Sequence, residues 1–467
     1  MVLRRSTVTL RMLLVALLAG AWLVSPVHTQ SPGPAAWLDA YRDVATSLIE
    51  ASTSDDFAWN RLAELTDTYG HRLSGSANLE QAIAWAVEQM TSDGLEHVRA
   101  EPVMVPRWVR GDEHAEFVSP PRQALTILGL GGSVGTPPEG VEGDVVVVNS
   151  FAELRARAAD VAGKIVLFNA PFTNYGDSVV YRTDGAYVAS QHGAVAALVR
   201  SIGPPGLRTP HTGSVGYEPG APPIPAAAVA TEDADRIARL LARGAPVRVR
   251  LTMGARMEAD TASANVVGEI RGRERPEEIV LLGGHLDSWD VGAGASDDAV
   301  GCIVTWEAAR LMVSLGIRPR RTVRIVLWTN EENGLRGATE YAARHAAHAA
   351  NHVLAIESDS GVFAPAGIGF SGGVAARSLV RDIGTLLAPL GIGEIGGGGG
   401  GADIAPIARA GGVPMLAYLG NPDRYFAIHH TPADTVDRIT PDEVSKAAAA
   451  LAVIAYVTAE MPERLPR

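Results

Sequence analysis

Histidine and carboxylate side chains cluster at five places in the second half of the chain. The clusters are GGHLDSWD (His285, Asp287), SDD (Asp297), WTNEENG (Glu331, Glu332), ESD (Asp359) and HHTPADT (His429, His430). Imidazole and carboxylate groups without thiolates are ligands that suit zinc, with manganese and cobalt as less favoured choices. If these groups meet in space, their charges would repel strongly unless a cation held them together. The sequence therefore predicts a metal centre.

Each cluster alone has an ordinary explanation, so the prediction of a metal centre rests on all five clusters together. An Asp pair at a helix start can simply offset the helix dipole, and a His pair can lie on the surface. The sole cysteine, Cys302, lies in an apolar helical stretch, where we expect it to pack rather than to bind metal.

The chemistry of hydrolytic metal pairs suggests a role for each cluster. Two ions about 3.5–4 Å apart need one bridging carboxylate and further ligands on each side. We predict that Asp297 is the bridge, that His285 and Asp359 complete one site, and that Glu332 and a histidine of the HH pair complete the other.

Two further carboxylates are predicted to assist. Glu331 is adjacent to a ligand without being needed as one, and it is the candidate general base that moves a proton from water to the leaving amine. Asp287 lies two residues from His285, on the same side of an extended segment. It is predicted to accept the other imidazole N–H and to fix the tautomer of this ligand.

The clusters follow short apolar runs typical of buried strands, at 279–282, 323–327, 353–356 and 415–419. Amphipathic helices are predicted between and after these runs, at 299–315, 335–349, 376–387 and 441–461. This alternation predicts an α/β fold whose mostly parallel sheet is flanked by helices. Active sites of such sheets lie beyond the carboxyl ends of the strands, where the clusters fall.

The rest of the chain has a different sequence pattern. Residues 36–95 show helical spacing, and 101–118 look extended. Residues 118–257 contain short β-rich runs between Gly- and Pro-rich loops, with helical pieces at 151–159 and 231–242. We predict a signal peptide at 1–29, catalytic segments at 30–117 and 258–467, and an inserted β-rich domain at 118–257.

The first 29 residues are typical of a secretory leader. Arg4, Arg5 and Arg11 precede or enter an apolar stretch at 12–24 that is too short for a comfortable membrane span. We therefore expect a periplasmic or secreted protein with no stable membrane insertion after cleavage. The net charge of −12 argues against nucleic acid as a partner.

The motifs resemble the co-catalytic dizinc aminopeptidase superfamily, and within it the carboxypeptidase Q branch. GGHLDSWD, the Asp297-Asp298 pair, WTNEENG, IESDSG, HHTPADT and the TYGHRLSGS segment around His71 carry the resemblance. It implies two Zn²⁺ ions per chain and His430, rather than His429, as the ligand. It also implies a phosphorylase/hydrolase-like catalytic domain, and a homodimer that releases single residues from short peptides, with dipeptides prominent.

The resemblance also implies that the insert is a protease-associated domain. GKIVLF, GAVAALV and PIPAAAVATEDADRI are the segments similar to that domain.

Several alternatives stay open at this point. An aminopeptidase would share all five clusters, because the choice of peptide terminus depends on other residues. A cyclotransferase of the glutaminyl-cyclase kind resembles the clusters less, and a non-catalytic binding or receptor-like module would be expected to lack ligands that are intact here. The glycine run 396–401 is expected to form a mobile rim rather than a contact surface for substrate, and Asp403 to contact a substrate amine or to cap a helix.

Overall fold

The computed structural model describes residues 36–118, 122–220, 222–364, 366–392 and 395–467. The predicted leader at 1–29 lies outside these ranges. Within them, no helix has the length and apolar character needed to cross a membrane.

Two eight-stranded sheets form within the described ranges. The strands are β1 (Glu96–Val109), β2 (Glu113–Phe117), β3 (Gln123–Leu125), β4 (Ile127–Gly129), β5 (Val141–Val148), β6 (Ile165–Phe168), β7 (Ala196–Arg200), β8 (Ala226–Val229), β9 (Arg248–Met253), β10 (Arg256–Ile270), β11 (Arg275–His285), β12 (Arg321–Trp328), β13 (His352–Glu357), β14 (Gly367–Ser371), β15 (Ile395–Gly397) and β16 (Met415–Leu419). The first sheet has the order β1-β10-β12-β11-β13-β16-β14-β15, and the second β3-β2-β9-β5-β6-β7-β8-β4.

Helices cover the strands and connect them. They are α1 (Asp39–Ser52), α2 (Phe57–Tyr69), α3 (Ala77–Ser92), α4 (Phe151–Ala156), α5 (Tyr175–Thr183), α6 (Gly185–Ser190), α7 (Thr231–Ala242), α8 (Val300–Ser314), α9 (Arg336–Arg344), α10 (Val374–Gly384), α11 (Ala405–Gly411), α12 (Pro422–Ile428) and α13 (Pro441–Glu460). The local sequence explains where the longest helix begins, because Thr440 and Glu443 form a capping box around Pro441.

The centre of the first sheet is parallel, as predicted. Strand β11 pairs in parallel with β12 and β13, and β13 pairs in parallel with β16. Helices α8 and α13 pack against one face, with Cys302 buried in that core as expected. The α/β prediction is therefore confirmed.

Antiparallel pairs occur toward the edges of the first sheet, for which the sequence made no specific prediction. Strand β1 pairs antiparallel with β10, β10 pairs antiparallel with β12, and β14 runs antiparallel to β16. Strand β10 escaped prediction because its first half is largely exposed, so its sequence lacks the continuous apolar run that marks the central strands.

The second sheet forms between β1 and β10 in the chain. Its strands begin at Glu113 and end at Met253, against a predicted range of 118–257 for the insert, and the predicted domain boundaries stay predictions. The strands that lead into and out of this segment are neighbours, since Val109 pairs with Arg256.

Candidate metal centre

The seven predicted site residues lie together beyond the carboxyl ends of the central strands. His285 is the last residue of β11, Asp297 lies in the loop before α8, Glu331 and Glu332 follow β12, Asp359 follows β13, and His430 follows α12; Asp287 lies just after β11. Residues up to 145 positions apart thus meet because parallel strands deliver them to one sheet edge.

Asp297 lies between two imidazoles. Its Oδ1 is 3.1 Å from Nε2 of His285, and its Oδ2 is 3.1 Å from Nε2 of His430. Asp359 Oδ1 lies 3.5 Å from the same nitrogen of His285, and Glu332 Oε2 lies 3.0 Å from that of His430. Each imidazole therefore has its own pair of carboxylates, and the two pairs share Asp297.

The neighbouring His429 is close enough to be a rival ligand. Its Nε2 lies 3.5 Å from Oδ2 of Asp297, and its ring stacks on that of His430 with 3.5 Å between the centroids. Asp297, His429 and His430 form one group of potential metal donors, while His285, Asp297 and Asp359 form another. His430 has the better geometry for a second site, because it also contacts Glu332.

The residues present fit divalent metal. Oδ2 of Asp297 and Oε1 of Glu332 are buried, and neither accepts a hydrogen bond from the described residues, although Oδ2 of Asp297 faces Nε2 of His430 at 3.1 Å. Buried carboxylate oxygens are rarely left without partners unless a cation binds them. The donors are two imidazoles and three carboxylates, about 3 Å apart in each pair, as neighbouring ligands of a metal with bonds of about 2.0–2.2 Å would be.

The electrostatics of the cluster agree with this interpretation. Burial would lower the pKa of His285, yet Asp297 and Asp359 raise it well above the ordinary value. Burial likewise would lower the pKa of His430, but Glu332 and Asp297 outweigh this effect and raise it well above the ordinary value. The concentrated negative charge therefore favours positive charge at this place, which divalent cations would supply.

The adjacent acids Glu331 and Glu332 are among the acids of the centre whose pKa values are raised. Burial, and then the charges of Asp359 and Glu332, raise the pKa of Glu331 well above its ordinary value against the opposing effect of His285. Burial and the charge of Asp297 raise the pKa of Glu332 to about 7. A carboxyl group with a raised pKa holds a proton more readily than an ordinary one, which suits Glu331, the predicted general base, to accept a proton and pass it on.

Asp287 differs from its predicted contact. Nδ1 of His285 is 2.9 Å from the backbone carbonyl of Asp287, while the carboxylate is 3.9 Å away. The carboxylate instead accepts the backbone N–H groups of Glu331 and Glu332, at 3.0 and 3.3 Å. The tautomer of His285 is thus fixed by a carbonyl, and Asp287 positions the loop that carries Glu331 and Glu332.

Two acids whose roles were not predicted hold the loop around Asp297. Asp298, joined to Asp297 by a cis peptide, accepts the backbone N–H groups of His285 and Gly301, both at 3.1 Å. Asp434 accepts those of Ser296 and Asp297, at 2.7 and 3.1 Å. Both acids stood in the predicted clusters, but nothing in their spacing separated ligands from supports.

Arg72 is a buried support that sequence reasoning missed. Its guanidinium donates to the carbonyl oxygens of Gly70, Leu286, Ala293 and Gly294, at distances between 2.7 and 3.0 Å. It therefore ties the first helical region to the segment between β11 and Asp297. The TYGHRLSGS resemblance pointed to this region but did not single out the arginine.

The second sheet's segment also contacts the candidate centre. The backbone carbonyl of Thr212 lies 3.2 Å from Nδ1 of His430, and Ser214 donates its hydroxyl to the backbone carbonyl of Glu332 at 2.7 Å. The Arg182 guanidinium lies 3.4 Å from the same Nδ1 of His430. None of the predicted site residues lies in the insert, yet the insert forms one wall of the site.

The structure narrows the expectations for the glycine run and for Asp403. A side chain at Gly401 would come within 2.0 Å of the Glu357 carboxyl, and one at Gly399 within 2.2 Å of the Gly369 backbone. Close packing therefore requires glycine at 399 and 401, while a side chain at Gly397 or Gly398 would meet open space, and the expected rim stays a prediction for that part of the run. Helix α11 begins at Ala405 without a side-chain cap, so Asp403 is not its N-cap.

Comparison with known proteins places the chain in a family. Residues 265–455 match Peptidase family M28, and residues 141–237 match the PA domain. Carboxypeptidase Q of Bos taurus is 45% identical over 430 residues, which cover 91% of this chain and 91% of that protein. The chain belongs to peptidase family M28, on the carboxypeptidase Q branch. The predicted resemblance and the prediction of an enzyme are confirmed.

Solved structures of M28 peptidases agree with the fold. The peptidase M28 precursor from Shewanella amazonensis superimposes with a TM-score of 0.88 at 36% identity, covering 92% of this chain and 99% of that one. A zinc aminopeptidase from Bacillus subtilis has a TM-score of 0.66 at 18% identity, covering 87% and 96%, and shares the fold. The M28 catalytic fold with an inserted PA domain is therefore confirmed.

Proposed function

We propose that this M28 peptidase is a zinc-dependent exopeptidase that uses two ions to hydrolyse dipeptides or short peptides. His285 and Asp359 would hold one ion, Glu332 and His430 the other, and Asp297 would bridge them. The observation that carries the proposal is the position of Asp297, whose two oxygens each lie 3.1 Å from a different imidazole. The carboxypeptidase Q relatives and the zinc aminopeptidase fold support the same class of reaction.

The side chains of the site have distinct roles in the proposed reaction. When bound, the zinc ions would polarise the scissile carbonyl and acidify the attacking water. Glu331 would accept the proton of that water and pass it to the leaving nitrogen, a role that suits its raised pKa. Asp287 would keep Glu331 in position through its backbone N–H. No serine or cysteine nucleophile is needed, and the sole cysteine is buried in the core.

The proposed enzyme works outside the cytoplasm. The leader-like stretch at 1–29, with its arginines and short apolar run, supports this location. A homodimer is proposed on the family resemblance alone, and gel filtration at several protein concentrations would test it.

Metal dependence is the direct test of this function. The purified protein should hydrolyse an unblocked dipeptide, lose the activity on treatment with a chelator, and regain it on addition of Zn²⁺. Metal analysis should give two ions per chain. Hydrolysis that persists after complete removal of metal would overturn the proposal.

A further inference from the structure

We propose that a groove beside the candidate metal centre binds the part of a peptide that stays behind when a terminal residue is released. The groove runs from Glu331 along strand β1 to the start of α9, and we name it the lateral groove. This inference rests on the proposed function and deepens it, because the metal and base clusters do not decide how long the substrate is. It makes peptides of about four to six residues better substrates than dipeptides.

Two cavities form the lateral groove, and they meet at Gly334. The first has a volume of about 480 Å³ and contains Glu331 and Glu332 in its wall, so it opens on the candidate metal centre. The second has a volume of about 530 Å³ and lies between β1, β10 and α9. Gly334 lines both cavities. A chain that enters at the centre can therefore continue into the second cavity.

The two glutamates mark the place where the substrate would be divided. A separate cavity of about 320 Å³ also contains Glu331 and Glu332, together with the predicted ligands Asp297, Asp359 and His430. The scissile bond must lie at these residues, because the proposed base and ligands act on it. The lateral groove begins at the same two glutamates and leads away from the ligands, so it is placed to hold the retained part of the peptide.

The lateral groove follows the antiparallel pair of β1 and β10. Trp108 and Met257 are partners in this pair and line the first cavity, while Met104 and Ala262 are partners and line the second. Pro102 lies at the far end. Positions 102 and 108 are separated by about 20 Å of strand at about 3.3 Å per residue. An extended peptide of about six residues has the same length.

The lining of the lateral groove includes apolar side chains that are exposed. Six large apolar side chains are exposed among the described residues, and Met104 and Met257, each 53% exposed, are two of them. One lies in each cavity of the groove. A peptide that covers these side chains gains the free energy of apolar burial. The two methionines are therefore the contacts that would reward a longer substrate.

The side-chain chemistry of the lateral groove suits ligands of variable sequence. Methionine is flexible and polarizable, so it packs against partners of different shape. No lysine or arginine lines the first cavity among the described residues, and Arg336 of the second lies 3.4 Å from Asp260. Selection by a strong unpaired positive charge is thus absent from this part of the chain. We expect the groove to accept many neutral sequences.

A second copy of the chain is the rival occupant of such a groove. Continuity with the candidate centre favours the peptide, because Glu331 and Glu332 belong to the wall of the groove itself. Strand β1 lies at the edge of the first sheet, and Pro102 and Pro106 on it have no backbone N–H to donate. Prolines on an edge strand hinder pairing with a strand of another chain.

The test measures how the rate depends on peptide length. The zinc-loaded enzyme should show a kcat/KM at least about 10-fold higher for penta-alanine than for di-alanine, because burial of two methyl groups supplies about this factor. Initial rates of alanine release on uniform peptides make the result independent of the end attacked. The increase should level off beyond about six residues, where the groove ends. A flat profile from di-alanine to hexa-alanine would overturn the inference.

Two variants locate the effect along the groove, read as kcat/KM relative to that for di-alanine. Met257→Asp should lower this ratio by about 5-fold or more from tri-alanine upward, since Met257 lies in the cavity that contains Glu331. Met104→Asp should lower it only for tetra-alanine and longer peptides, since Met104 lies in the second cavity. A general structural defect would not depend on peptide length in this way.

Conservative and remote variants serve as controls. Met104→Leu keeps the apolar lining and should retain most of the preference for longer peptides. Val374→Asp, at an exposed apolar position at the start of α10, should leave the length profile unchanged. If a variant does not fold, as judged by circular dichroism, the wild-type profile decides.

Gel filtration of the same variants tests the rival occupant. If Met104→Asp changes the oligomeric state and leaves the length profile as in wild type, a second copy of the chain occupies the groove and the inference is wrong. An unchanged oligomeric state with a shortened length preference supports the peptide as occupant.

The two proposals fail in different ways. A zinc-loaded enzyme that cleaves di-alanine as well as penta-alanine keeps its exopeptidase function and loses the lateral groove as a binding site. A zinc-loaded protein that cleaves none of the peptides contradicts the proposed function itself.

Discussion

Asp434 holds Asp297 in place through the backbone. Its carboxylate accepts the N–H of Asp297 at 3.1 Å and that of Ser296 at 2.7 Å. The HHTPADT segment therefore fixes the loop that carries the proposed bridging ligand, while the same segment supplies His430. The last cluster of the sequence thus serves the centre twice, once as a ligand and once as a support.

Replacing Asp434 should weaken the positioning of Asp297, the proposed bridging ligand. Asp434→Ala leaves two buried N–H groups without their acceptor, at a cost of about 1–3 kcal/mol each, so zinc content and kcat should both fall. Metal analysis and steady-state kinetics check this. Asp437→Ala, at an exposed position two residues beyond this segment, should leave both unchanged. A fully active, fully loaded Asp434→Ala enzyme would contradict the supporting role.

Removing the proposed base should separate catalysis from metal binding. Glu331→Gln keeps the shape of the side chain but cannot accept a proton, so kcat should fall by about 100- to 10,000-fold. Zinc stoichiometry should stay near that of wild type, and Glu340→Gln, on the exposed face of α9, serves as the control. Substantial remaining turnover would show that another group is the base.

Removing the proposed bridge should affect both ions. Asp297→Ala deletes the carboxylate shared by His285 and His430, so occupancy should fall at both positions together. Asp359→Ala removes a ligand of one position only, and it should lower the zinc content by about one ion. Metal analysis of the dialysed variants distinguishes these results, and an unchanged stoichiometry in Asp297→Ala excludes it as the bridge.

His352 lies outside the proposed metal centre, and it should make the stability of the folded protein depend on pH. Burial and the charge of Arg324 lower its pKa to about 4, and the neutral ring lies 3.0 Å from the Tyr341 hydroxyl. Between about pH 6.5 and 4 the unfolded chain binds a proton that the folded chain does not. This contribution to stability is thus complete above pH 6.5 and lost as pH falls, by up to about 3 kcal/mol.

Thermal melts at pH 7 and pH 5 check the His352 prediction. The melting temperature of wild type should drop more between these pH values than that of His352→Gln, which has no titrating ring. His348→Gln, an exposed histidine nearby, should behave like wild type. Equal drops for wild type and His352→Gln would exclude this histidine as the cause.

The central part of the fold could be predicted because its signals are local. The four parallel strands are short, mainly apolar runs, and three of them end at or just before a polar cluster, so the strand pattern also located the candidate site. The structure brings all seven predicted site residues to one edge of the first sheet. Which of them bind metal stays a prediction.

The supports of the site could not be predicted because they act at a distance along the chain. Arg72 contacts Ala293 and Gly294, and Thr212 contacts His430, more than 200 residues away in both cases. Polar supports have no periodicity, and a backbone carbonyl has no sequence signature at all. Asp287 shows the same limit. Its spacing of two residues from His285 did not reveal that its carboxylate accepts the backbone N–H groups of Glu331 and Glu332.

The pairing of Val109 with Arg256 has a consequence for how such a protein can arise. The two ends of the insert are as near to each other as the ends of an ordinary β-turn, so the accessory domain occupies the place of a hairpin tip. The core peptidase could exist with a two-residue tip there and keep every proposed zinc ligand. Such a shortened chain would lose the contacts of Thr212 and Ser214 with His430 and Glu332, so the insert supplies packing around the proposed centre that the ligands alone do not provide.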